Sequence, residues 1–102
     1  MRLDSFTLVD CGEDAPYQTE MEPGVIYYQT NNGKPWSANW FCPCGCKNGR
    51  SYTGITLSDI AGPSHQWQIM SLDPAAPHFE PSILDRGCGA HYFIREGKII
   101  WA

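Results

Sequence analysis

Apolar residues along this chain come in short clusters that mostly alternate with polar ones, the period-two pattern of half-buried strands. Val25 to Thr30 (Val-Ile-Tyr-Tyr-Gln-Thr) is β-branched and aromatic and predicts a strand. Asn31-Asn-Gly-Lys-Pro follows as a turn, with Gly33 free to take positive φ. Ser37 to Cys42 predicts a second strand, and Ser51 to Leu57 a third. In His65 to Leu72, Trp67, Ile69 and Ser71 fall on one face and Gln66, Gln68 and Met70 on the other, so period two fits better than 3.6. His91 to Arg95 and Lys98 to Trp101 flank Glu96-Gly97, which predicts a hairpin with a two-residue turn.

Other stretches are less regular. Residues 1–10 offer a first strand with Leu3, Phe6, Leu8 and Val9 as apolar positions. Residues 11–24 hold four acidic residues and two prolines and read as a mobile, loosely packed acidic connector. Asp73 to Pro81 carries three prolines, which excludes a helix and predicts a loop entering a short edge strand. The expected class is all-β: a small antiparallel β sandwich with little or no helix, forming one domain over residues 1–102.

Composition narrows the function. Ten glycines and eight prolines fit many turns, and a 102-residue chain is small enough to gain from a metal staple. The net charge of −4 with seven scattered basic residues argues against nucleic acid, whose binding needs cations to displace counterions. No apolar run approaches the roughly 20 residues of a membrane span, so no membrane partner is expected. The N-terminus lacks a secretory stretch, because Asp4 and Asp10 interrupt it, and a cytoplasmic location is the expectation. An odd number of cysteines in a reducing compartment points away from disulfides and toward a metal.

The cysteines carry the strongest signal. Cys42, Cys44 and Cys46 stand in Phe41-Cys-Pro-Cys-Gly-Cys, and Cys88 and His91 in Gly87-Cys-Gly-Ala-His. Two Gly-rich loops with closely spaced soft ligands suit one ion clamped between hairpin tips. Thiolate and imidazole favour zinc or an iron–sulfur cluster over magnesium or calcium, which take oxygen. The candidate metal ligands are therefore Cys42, Cys44, Cys46, Cys88 and His91. Five candidates exceed a tetrahedral set, so one of Cys42, Cys44 and Cys46 is spare, with Cys42 and Cys44 slightly favoured.

Cys-x-Cys in one loop and Cys-x-x-His in another resembles the Rieske pattern, except that Cys44 stands where that pattern has histidine. This departure tilts the metal toward zinc. More specifically, Phe41-Cys-Pro-Cys-Gly-Cys, Trp67, Pro81-Ser-Ile-Leu, Cys88-Gly-Ala-His-Tyr-Phe-Ile-Arg and Gly97-Lys-Ile-Ile-Trp are similar to a small bacterial and phage family. The resemblance spans roughly residues 25–102. It implies a Rieske-like zinc-binding β fold and, because some relatives lie beside genes for ubiquitin-like conjugation, an accessory or adaptor role.

The remaining features have plain readings. His65 and His78 are expected at loop edges as ordinary histidines, with a pairing of His78 and Glu80 as acid and base the sharper alternative. Trp36, Trp40, Trp67 and Trp101 are expected in the core and sheet, or, where they flank the first ligand loop, as an apolar rim for a partner. Ser82 has no glycine elbow and no base placed by sequence, so its hydroxyl is expected to bond backbone or a cysteine sulfur rather than act as nucleophile. Cys11 is expected to be a spare thiol. The leading expectation is a zinc-stabilised module that binds another protein. Behind it stand an electron-transfer protein with a two-iron, two-sulfur cluster, and a metal-dependent hydrolase with Glu80 or a histidine as base.

Overall fold

The computed structural model describes residues 2–58, 67–85 and 87–102. They form an all-β domain of eight strands: β1 (Thr7–Asp10), β2 (Val25–Asn31), β3 (Lys34–Phe41), β4 (Tyr52–Ser58), β5 (Trp67–Ser71), β6 (His78–Leu84), β7 (His91–Arg95) and β8 (Lys98–Trp101). A four-residue helical turn, Cys46–Gly49, and a 3-10 turn, Gln18–Glu20, are the helical elements among the described residues. The strands join in chain order into a single sheet. It is not wholly antiparallel, since β1 pairs with β2, and β4 with β5, in parallel.

The sheet curls until its edges share one segment. Thr7–Asp10 pairs with β2, while just upstream Ser5 bridges Lys98 and the Phe6 amide donates to the Gly97 carbonyl at 2.8 Å. The N-terminal segment thus bridges β2 and β8 and shields edges that would otherwise invite pairing. Inside the curl lie Leu8, Ile26, Tyr28, Trp40, Ile55, Leu57, Phe79, Ile83, Tyr92, Ile94 and Ile99. Trp40 and Tyr92 are fully buried, and the indole Nε1–H donates to the phenolic oxygen at 2.9 Å, so neither leaves a bare polar atom in the core. Trp40 therefore belongs to the core and not to an apolar rim, whereas Trp36 is half exposed.

Turn chemistry sets the register. Asn32-Gly33 and Glu96-Gly97 both hold two successive positive φ values, the signature of tight hairpin turns that match strand twist. Residues 11–24 run beside the sheet, where Glu13 accepts from the Asn32 amide and the Tyr27 hydroxyl accepts from the Glu22 amide. One expectation fails here. Asp73 to Pro81 does not lead into an edge strand, because β6 begins at His78 and lies between β5 and β7. The ladder tolerates Pro81 because the β6–β7 register shifts between Phe79 and Ile83, where a missing N–H breaks no regular bond. His65 and Gln66 lie outside the described residues.

Candidate functional site

The first cysteine loop leaves β3 and returns to β4. The Cys42 amide donates to the Ser51 carbonyl at 2.7 Å and closes it, and Gly45 turns the chain at a φ of 80°. The second loop joins β6 to β7. The Asp85 amide donates to the Ala90 carbonyl at 2.8 Å, and the Gly89 amide donates back to the Asp85 carbonyl at 2.7 Å. Asp85 also fastens one loop to the other. Its buried carboxylate accepts from Thr53 Oγ1 on β4 at 2.6 Å and from the Gly87 amide at 2.9 Å. Burial opposes its ionisation, but these bonds and those from the Cys42 and Cys88 thiols outweigh it and hold its pKa below the ordinary value.

The two loops converge. Cys42 Sγ lies 3.4 Å from Cys44 Sγ and 3.4 Å from Cys88 Sγ, and the last two are 3.5 Å apart. The trio could hold a metal ion. Four sulfurs bonded at about 2.3 Å around a tetrahedral zinc stand roughly 3.8 Å from one another, so these thiols need to spread by only a few tenths of an ångström. Cys46 adjoins the group: its amide donates to Cys44 Sγ at 3.4 Å. Burial works against a Cys44 thiolate, yet hydrogen bonds from Cys46, Cys42 and Cys88 lower that thiol to about 7. The same sharing, led by Cys44, pushes Cys46 up to about 11, and burial pushes Cys42 up. Cys44 is thus the thiol of the three that ionises most readily. Cys11 stands apart from this group, at the end of β1.

His91 lies outside this sulfur trio. It opens β7, and its Nε2 lies 2.8 Å from Ser82 Oγ on β6. The expectation for Ser82 is overturned, because its hydroxyl meets an imidazole and not backbone or a cysteine. The register explains why. Leu84 pairs with His91, so Ser82, two residues back on the same face, is the diagonal neighbour of the imidazole. Phe93 stacks beside His91 with ring centroids 6.4 Å apart. The Trp67 indole donates to the Ser82 carbonyl at 3.2 Å and fixes the backbone behind the hydroxyl. Among the described residues no carboxylate reaches His91, so the pair is a dyad.

His78 and Glu80 do pair, at 2.7 Å, but Glu80 also takes two bonds from Arg95, at 2.7 and 3.0 Å. That carboxylate is engaged by a guanidinium and belongs to neither the sulfur group nor the Ser82–His91 contact. A cleft of about 280 Å³ lies where Cys44, Cys88, Gly89, Ala90, His91 and Trp101 come together. Arg2 also lines it, with its guanidinium 4.2 Å over the Trp101 ring.

The fold and site thus define a small curled β domain in which converging thiols adjoin a serine–histidine pair. The chain belongs to the bacterial ubiquitination-like system serine protease family, BubE, whose model matches residues 12–102. No curated protein and no solved structure matches it. No helix among the described residues is long and apolar enough to cross a membrane.

Proposed function

We propose that this chain is a serine protease of a bacterial ubiquitin-like conjugation system, with Ser82 as nucleophile, His91 as general base and a zinc ion stapling the loop that carries the histidine. The observation behind this reading is the 2.8 Å contact between Ser82 Oγ and His91 Nε2, in a chain whose family is one of serine proteases. With its own proton on Nδ1, the imidazole accepts the Ser82 hydroxyl proton through Nε2 while the oxygen attacks a carbonyl carbon. His91 then delivers that proton to the departing amine or alkoxide, leaving an ester on Ser82. A water molecule, deprotonated by the same nitrogen, cleaves the ester and regenerates the hydroxyl.

The metal is assigned to structure. Cys42, Cys44 and Cys88, with Cys46 as fourth sulfur, would make a closed thiolate set of the kind that stabilises folds. Zinc held by these thiols would cross-link the 42–46 and 85–90 loops, and Cys88 lies three residues before His91. A two-iron, two-sulfur centre of the Rieske kind needs imidazole ligands, and here the imidazole is engaged by Ser82. The protein partner expected from sequence becomes, in this reading, the substrate itself.

The test is hydrolysis of p-nitrophenyl acetate and of a bacterial ubiquitin-like protein extended at its C-terminus. Ser82→Ala and His91→Ala should each cut turnover by about 10³-fold or more while the thermal melt stays in place. Full turnover by Ser82→Ala would refute the reading.

A further inference from the structure

Alternate residues of β7 share a face. Tyr92 and Ile94 point into the core, while His91, Phe93 and Arg95 line the outer face in that order. Phe93 therefore stands between the other two. Its ring stacks with the His91 imidazole, the centroids 6.4 Å apart and the planes 29° from parallel. The Arg95 guanidinium lies 4.1 Å over the same ring. That guanidinium is itself fixed, because Nε and Nη2 both donate to the Glu80 carboxylate on β6, at 2.7 and 3.0 Å. Glu80 is also tied to His78, two residues earlier on its own strand.

The imidazole needs such support. His91 is exposed, and its contact with Ser82 engages one nitrogen but leaves the ring able to tilt and swing about its side-chain torsions. In serine–histidine sites a third group, commonly a carboxylate, holds the base in the orientation that accepts the hydroxyl proton. Here the neighbour that lies along the imidazole is an aromatic ring.

We propose that Phe93 is the positioning residue of the dyad: its ring, capped by the Arg95–Glu80 pair, keeps the His91 imidazole turned toward the Ser82 hydroxyl. The inference rests on the serine protease reading and assigns to a stack the orienting part that a carboxylate plays elsewhere. A ring pair of this kind favours the stacked rotamer by about two- to tenfold over an unsupported one. The guanidinium holds Phe93 through its ring face, so Arg95 and Glu80 act on the base without touching it. Unlike a carboxylate, the ring supplies orientation and no charge. Its loss should therefore lower the fraction of correctly placed imidazole, and with it kcat, while leaving substrate binding alone.

Full-length protein is assayed with p-nitrophenyl acetate, and its urea midpoint is followed in parallel. Phe93→Leu, which keeps bulk but removes the ring, should lower kcat by about tenfold with KM changed by less than about twofold. Phe93→Tyr, which keeps the ring, should retain kcat within about twofold. Arg95→Met, at a position whose side chain is 41% exposed, should lower kcat by about threefold in wild type. In the Phe93→Leu background it should have no further effect, because both changes act through one ring. A second readout does not depend on turnover. With ¹³C-labelled histidine, the His91 ring signals, identified by their absence in His91→Gln, should shift in Phe93→Leu and stay close to wild type in Phe93→Tyr. Unchanged kcat in Phe93→Leu, a loss that falls on KM, or unmoved His91 signals would overturn the positioning role and leave the serine protease reading intact. If Phe93→Leu fails to fold, Arg95→Met decides, and an unchanged kcat there would overturn the role as well. Shifted His91 signals without any Ser82-dependent turnover would support Phe93 as the support of the imidazole and overturn the protease reading.

Discussion

His91 Nε2 stands 2.8 Å from Ser82 Oγ, although the two are nine positions apart in sequence with a cysteine loop between them. The β6–β7 hairpin makes the contact, and the loop between Asp85 and Ala90 sets which residue of β7 arrives opposite Leu84. Replacing His91 by Gln keeps a hydrogen-bonding side chain next to the hydroxyl but removes the base. His91→Gln should therefore lose about 10³-fold in kcat for p-nitrophenyl acetate. Its midpoint in urea should stay close to wild type, since the position is exposed.

Tyr92, one residue on, faces the other way into the core and accepts the Trp40 indole proton. Tyr92→Phe fills nearly the same volume but leaves that N–H buried without a partner. The expected cost is about 1–3 kcal/mol in urea unfolding. Trp40→Phe and Tyr92→Phe together should cost less than the sum of the single changes, because the orphaned donor disappears with the indole.

Much of this architecture was legible in the sequence. The alternating runs at 25–30, 37–42, 51–57 and 91–101 correspond to β2, β3, β4, and β7 with β8, because period-two burial and Gly-containing turns are local signals. The convergence of Cys42, Cys44 and Cys88 could be anticipated, since two Gly-rich loops with soft ligands have few other uses. The Ser82–His91 pair could not be anticipated. Pro77 and Pro81 disguised β6 as a loop and edge strand, so the sequence offered no hairpin against which to set Ser82 opposite His91. The signal available was the nine-position spacing of Ser82 and His91, which only a known β6–β7 register turns into a contact. The imidazole was read instead as a partner of Cys88 through the Cys-x-x-His spacing.

The sulfur group should dominate stability. Metal binding at assembled thiolates is itself folding free energy, so a strong chelator should lower the melting temperature by about 15 °C or more. Elemental analysis should find one zinc per chain. Cys88→Ser should reproduce much of the destabilisation, whereas Cys11→Ser, distant from the cluster, should leave both the melt and the metal content unchanged.

Acid should act through Glu80. The Arg95 guanidinium, helped by His78 and opposed by burial, holds the Glu80 carboxyl below its ordinary value of 4.5. A carboxyl depressed in the folded state contributes stability that is fully present above its unfolded value and is lost as pH falls through its folded value. Wild type should therefore exceed Glu80→Gln by a constant margin above about pH 5, and the margin should shrink below pH 4.5. Urea unfolding across that range reads it directly. Salt should trim the margin, because the ion pair is partly exposed.

The most direct test of the central claim is covalent capture of the nucleophile. Full-length, zinc-loaded protein is treated with a fluorophosphonate and digested for mass spectrometry. One adduct on the peptide bearing Ser82, formed quickly in wild type and lost in both His91→Ala and Ser82→Ala, is the predicted result. An unlabelled Ser82, or labelling that proceeds equally fast without His91, would contradict it.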